Sequence, residues 1–172
     1  MGARAACLAA QESGGKVKAL VLASFPLVGA SKGDSREQIL LDLPEDIDVL
    51  FISGTEDTMC DLEHLRTVTS RMKARTWIAE VDTADHGMAL KPKKGSKEVR
   101  VKTGEIAAEW LRGRGAGKRC LLTGWDGDEE AVVTEGWFDA GALTEGSDRE
   151  EEKGRGDEMG AGDERTVSRG EG

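Results

Sequence analysis

The sequence predicts an α/β fold, a partial doubly wound parallel sheet with helices on both faces, followed by a disordered acidic tail. Three observations predict it. The runs "VKALVLA" at 17–23, "DVLFISG" at 48–54 and "RTWIAEV" at 75–81 are apolar without a strict alternation, as strands buried on two sides are. The stretches between and after them carry apolar residues at helical spacing, so strands joined by helices imply right-handed crossovers in one parallel sheet. At Gly113 the composition changes: fourteen of the last sixty residues are glycine, and these residues hold 16 acids against 8 bases, a balance of −8 out of the chain's −9. Such a segment buries too little apolar surface to offset chain entropy.

Each element has a local reason. Residues 2–12 are alanine-rich around Leu8 and favour helix, and "SGG" at 13–15 stops it. The strand Val17–Ala23 follows. "PLVGASKGDS" reads as loop, with Asp34 or Ser35 capping a short helix through Leu41. The second strand, 48–54, closes on Gly54. From Met59 to Lys73, the spacing of Leu62, Leu65, Val68 or Thr69, and Met72 is helical. After the third strand, a loop holds His86 and a lysine-rich stretch, and Val99–Leu111 places Thr103, Ile106, Ala107, Trp110 and Leu111 on one helical face. The domain expected to fold is therefore 1–112, with 113–172 as tail. Inside that tail, T-G-W-D-G and E-G-W-F-D are loosely similar pieces around Trp125 and Trp137, too few for a repeat architecture.

Composition narrows the function classes. Cys7, Cys60 and Cys120 have neither an even count nor a metal-type spacing, so they read as reduced thiols; no metal and no cofactor is expected. No apolar run reaches the length that spans a bilayer, Ala5–Ala10 is too short for the core of a secretory signal, and Ala6 breaks the myristoylation pattern. The expectation is a soluble protein of the cytoplasm or nucleus, with no membrane partner. The basic loop "KPKKGSK" at 91–97 reads as a solvated surface loop rather than a nucleic-acid site.

Chemistry gathers at the carboxyl ends of parallel strands. Asp57 stands three residues after Gly54 in "SGTEDTMC", and His86 follows the third strand in "DTADHGMAL". A carboxylate and then a histidine after successive strands suit a serine hydrolase, in which the acid fixes the imidazole tautomer and the imidazole takes the nucleophile's proton. A plainer reading makes Asp57 the cap of the helix near Met59. Asp85 reads as solvated, with a competing role as orienting acid; His64, between Leu62 and Leu65, reads as a surface residue. Neither Cys60 nor Ser24 has the glycine-flanked elbow of a nucleophile.

Taken in order, "MGARAACLAA", "LVLASFPL", "VLFISGTEDTMC" and "ADHGMALK" resemble the C-terminal half of the α/β-hydrolase superfamily. The resemblance is strongest to the branch that joins testis-expressed hydrolase-like proteins to a subunit of the non-specific lethal histone acetyltransferase complex. It covers residues 1–112 and none of the tail. It implies the last three strands of a doubly wound sheet, Asp57 and His86 as catalytic acid and base, Met1 as an oxyanion-hole amide, and a small acyl or ester substrate for the full-length form. In the family pattern G-x-S-M-G, Met1 and Gly2 match the residues after the nucleophile, so the serine is expected just before Met1. The expectation is thus a truncated, inactive form of a hydrolase. The alternative is a non-catalytic interaction or scaffold module of a chromatin-associated complex, whose acidic tail would meet a basic protein partner.

Overall fold

The uninterrupted apolar runs form adjacent parallel strands. A computed structural model describes residues 2–29, 35–91, 93–114 and 117–139. Helix α1 (Gly2–Glu12) leads into β1 (Ala19–Ala23); α2 (Glu37–Leu41), β2 (Asp48–Gly54), α3 (Leu62–Arg71), β3 (Arg75–Val81), α4 (Ser96–Arg112), β4 (Cys120–Asp126) and β5 (Ala131–Phe138) follow. The sheet order is β1-β2-β3-β4-β5, with the first four strands parallel and β5 antiparallel to β4.

Side chains alternate across this sheet, so its register sorts them into two cores. Leu22, Phe51, Ile78 and Cys120 are register partners in one row and share a face. On that face Cys7 and Ala10 of α1, Leu40 of α2, and Leu65 and Val68 of α3 pack against Leu22, Phe51 and Ile78. One residue along, Leu50 and Trp77 point the other way and pack against Val99, Ile106 and Trp110 of α4. Covered on both faces, all seven residues of β2 are buried, which is why its sequence does not alternate.

The α4 connection departs from the expected handedness. The crossovers through α2 and α3 step across the sheet over one face, while the crossover from β3 to β4 continues in the same direction over the opposite face. It therefore has the opposite hand to the first two. A hairpin following α4 can join only the free edge of β3, because the other side of β3 is taken by β2.

That hairpin corrects the expectation of disorder from Gly113 and enlarges the expected three strands to five. Cys120, Leu121 and Thr123 of β4 are buried, and Trp125, Val132 and Trp137 pack on the α4 side. Trp125 lies against Gly95, the left-handed residue (φ 77°) that starts α4, where an added Cβ would fall 2.1 Å from the indole. The two tryptophan pieces are thus partner strands: Trp125 is opposite Val132. Averaged over sixty residues the composition hides them, because a strand added to an existing edge needs few apolar side chains of its own. Residues 140–172 lie outside the described residues, as does Met1, expected at the oxyanion hole. Among the described residues no helix is long and apolar enough to cross a membrane.

Smaller corrections follow from local geometry. Helix α2 starts after Arg36 with no side-chain cap; Asp34 lies outside the described residues, and the Ser35 hydroxyl instead accepts the Glu37 N–H at 3.5 Å. Helix α3 is capped by Asp61, whose carboxylate accepts the His64 N–H at 2.8 Å.

Candidate active site

The carboxyl ends of β2 and β3 are tied together by backbone hydrogen bonds. The Thr55 N–H donates to the Val81 carbonyl at 3.0 Å, and the Glu56 N–H donates to the Ala84 carbonyl at 3.0 Å. Gly54 makes this approach possible, since a Cβ there would lie 2.0 Å from the Ala84 oxygen. The Thr55 hydroxyl accepts the Thr83 N–H at 2.8 Å, holding Thr83 in the left-handed region (φ 54°) that this turn requires.

Beyond Gly54 the chain turns tightly around Asp57. The Asp57 N–H reaches the Gly54 carbonyl at 3.3 Å, and Asp57 Oδ1 accepts the Met59 N–H at 2.8 Å. Capping the following helix falls to Asp61 instead, which leaves the rest of the Asp57 carboxylate available.

The His86 loop is held by Asp85 and Arg100. Asp85 Oδ1 accepts the N–H groups of Gly87 at 2.8 Å and Ala89 at 3.1 Å. These amides, that of Ala89 first, hold the Asp85 carboxyl below its ordinary range. From α4, Arg100 Nε donates to the Met88 carbonyl at 3.1 Å and Nη2 to the Gly87 carbonyl at 3.3 Å. Asp85 is therefore committed to the backbone of its own loop and makes no hydrogen bond to His86.

Asp57 and His86 meet between these two loops. His86 Nδ1 lies 2.9 Å from Asp57 Oδ2 and 3.1 Å from Oδ1. The Asp57 side chain is wholly buried while that of His86 is 39% exposed. An ionised carboxylate only accepts, so Nδ1 carries the proton and Nε2 keeps a free lone pair. The arrangement can take up a proton at Nε2 and stabilise the resulting imidazolium, which is general-base chemistry. The buried carboxylate is compensated by the imidazole and the Met59 amide, as a buried charge must be.

Among the described residues no hydroxyl or thiol is hydrogen-bonded to His86 Nε2. Cys60 is buried with its sulfur 3.9 Å from Ser53 Oγ, and burial pushes its thiol up to about 11, which makes it a poor nucleophile. Ser24 follows β1 with φ 48°, and its N–H donates to the Ile52 carbonyl at 2.9 Å. His64 is half-buried and bonded to Glu37 at 2.9 Å, away from the dyad. No cluster of three or more His, Cys, Asp or Glu side chains among the described residues could hold a metal.

Residues 1–111 match the family described as alpha/beta hydrolase domain. The chain belongs to this family. No solved structure matches it. The alpha/beta hydrolase match ends at Leu111, so the β4–β5 hairpin lies beyond it. Within the matched part, sequence reasoning missed the residues that brace the site. Arg100 acts through backbone carbonyls and leaves no spacing signal; the sequence shows Gly54 only as the end of a strand and Asp85 only as a solvated or competing orienting acid, whereas Asp85 is spent on the Gly87 and Ala89 amides.

Proposed function

We propose that Asp57 and His86 are the acid and base of a serine-hydrolase-type site. They serve a nucleophilic hydroxyl of the strand-turn-helix type, and because no described hydroxyl or thiol is hydrogen-bonded to His86 Nε2, the described residues by themselves do not turn over esters. The observation that carries the reading is the pairing of a fully buried carboxylate with Nδ1 of a solvent-accessible imidazole at 2.9 Å. Topology supports it: α1 leads into β1 and runs back along the sheet, so its amino end lies toward the carboxyl rim where Asp57 and His86 stand. Backbone N–H groups at such an end suit a developing oxyanion, the part that the resemblance assigns to Met1.

Magnitude separates the two forms. Loss of the nucleophile costs a serine hydrolase about six orders of magnitude in turnover, equivalent to roughly 8 kcal/mol in barrier. The substrate class is a small acyl compound or ester. A fluorophosphonate probe tests the reading: it leaves the 172-residue chain unlabelled and labels a polypeptide extended upstream through a Gly-x-Ser turn, but not that polypeptide's His86→Ala variant. Labelling of the 172-residue chain, or labelling indifferent to His86, refutes it.

A second reading, a non-catalytic interaction module of the chromatin-associated branch, is favoured by the balance of −8 over residues 113–172. Charge attraction to a basic partner weakens with salt, so capture of a histone-tail peptide that is insensitive to salt, or to deletion of 140–172, counts against it.

A further inference from the structure

The last strand of the sheet, β5, has an open edge. Among the described residues no strand pairs with its outer side, so alternate N–H and C=O groups of its eight residues face outward. Exposed edges are commonly blunted by lysine or proline, and β5 contains neither. The face of the β4–β5 hairpin away from α4 is bare as well. The core under α1, α2 and α3 takes in no residue of either strand. Leu122, Val133 and Phe138 point to that uncovered side, where Val133 is 47% exposed.

Carboxylates surround this edge. On the bare face a cavity of about 210 Å³, room for one long side chain, is lined by Leu122, Gly124 and Val133 together with Asp82, Asp126 and Glu135. Asp82 accepts the Thr55 hydroxyl at 3.4 Å, and Asp126 Oδ1 accepts the N–H groups of Asp128 at 2.8 Å and Glu129 at 3.1 Å. Glu135 is exposed and forms no ion pair among the described residues. Exposed Asp128 and Glu129 stand at the start of β5, and exposed Asp139 at its end. Of the cations nearby, Lys94 is spent on Glu130, while Lys118 and Arg119 lie at the far end, where the Arg119 N–H donates to the Phe138 carbonyl at 3.0 Å.

We propose that β5 takes an extended basic peptide as a sixth strand, with lysine or arginine at every second residue. Main-chain hydrogen bonds to the open edge hold such a strand, and its side chains fall alternately on the two faces of the sheet. On the bare face a lysine or arginine lays its methylenes along Val133 and Leu122 and brings its charge to Glu135 and Asp126. On the α4 side, beside Val132 and Trp137, the intervening residues are apolar. A second copy of this chain does not fit, because antiparallel pairing of β5 with itself sets the acidic 126–130 turn of one copy against Asp139 of the other. The edge lies beyond the family match at residues 1–111, so it is a feature of the added hairpin.

The test titrates the full 172-residue chain into a fluorescent, acetylated and amidated heptapeptide that alternates arginine or lysine with valine, read by anisotropy. Saturable binding is expected, with slower amide exchange in β5. Two further peptides carry N-methyl groups on one or the other set of alternate residues and keep every charge. The one whose missing donors face β5 binds ~tenfold or more weakly than its counterpart, since several hydrogen bonds are lost. Glu135→Lys, at an exposed position, weakens binding severalfold. The proposal is overturned by absence of saturable binding, by equal affinity for the two methylated peptides, which would mean adsorption by charge alone, or by unchanged affinity in Glu135→Lys. Loss of binding on deletion of 140–172 overturns it too, as does a concentration-dependent dimer of the chain that Val133→Lys dissolves.

Discussion

Replacing Gly54 by alanine should separate the two loops that bring the dyad together. The added Cβ would lie 2.0 Å from the Ala84 oxygen, 2.6 Å from its carbonyl carbon and 3.0 Å from its Cβ. The obstacle is backbone, so no side-chain rotation relieves it, and the loops must part by roughly 1 Å or more, a displacement that in an active site can cost ~100-fold in rate. Overpacking of this kind costs about 1–3 kcal/mol. Parting the loops also strains the Glu56 N–H bond to the same carbonyl, worth about 0.5–1.5 kcal/mol. Together these give ~3 kcal/mol, which at a urea slope of about 1–3 kcal/mol/M lowers the unfolding midpoint by ~1–3 M. Urea melts followed by far-UV circular dichroism supply the number, and the His86 ring resonances report the dyad in the same samples. A Gly54→Ala protein with an unchanged midpoint and an unchanged His86 signal would refute the role given to this glycine.

Other consequences are as direct. In any form with measurable esterase activity, Asp57→Asn should lower kcat by ~10⁴, the cost of the wrong imidazole tautomer in a serine hydrolase, with much smaller change in KM; steady-state kinetics with an activated ester decide it. Asp85 has a depressed carboxyl, so its hold on the Gly87 and Ala89 amides is present above the unfolded carboxyl value and is lost as pH falls through the lower folded value. An amide titration should show both shifting with a midpoint below about 3.9, and a midpoint above it contradicts the bonding. Burial pushes Cys7 up to about 12 and Cys60 to about 11. Both should be inert to a disulfide reagent in the native protein at pH 8 and react on denaturation, whereas fast native reaction would mean that these thiols are not buried. Gly95→Ala should destabilise by ~2 kcal/mol or more, since the Cβ meets Trp125 at 2.1 Å; an unchanged melt would remove the hairpin from the α4 end.

The parts of the fold that a sequence displays are those with strong periodicity or none. All seven residues of β2 are buried, and Val49–Ile52 at its centre are a continuous apolar run because both faces of the strand are covered. The hairpin was hidden for the opposite reason: the first five residues of β5 alternate between exposed and half-buried positions, and Glu135 and Gly136, with the glycine and acids of the 127–130 turn, resemble the composition of the segment that follows. Handedness was misread for the α4 crossover because a helical pattern does not state which face its helix will cover. In the site, the order of Asp57 and His86 after successive strands was legible, since strand ends punctuate the sequence. Their approach was not: it depends on a glycine at van der Waals limit and on Arg100 bonding to carbonyls, interactions with no residue-type signature.

The tautomer of His86 tests the central claim most directly. In ¹⁵N-resolved imidazole spectra of the 172-residue chain, recorded where the ring is neutral, the proton should reside on Nδ1 with Nε2 unprotonated, and Asp57→Asn should disturb that assignment. A ring protonated on Nε2 in the unaltered protein, indifferent to the loss of the Asp57 charge, would contradict the account.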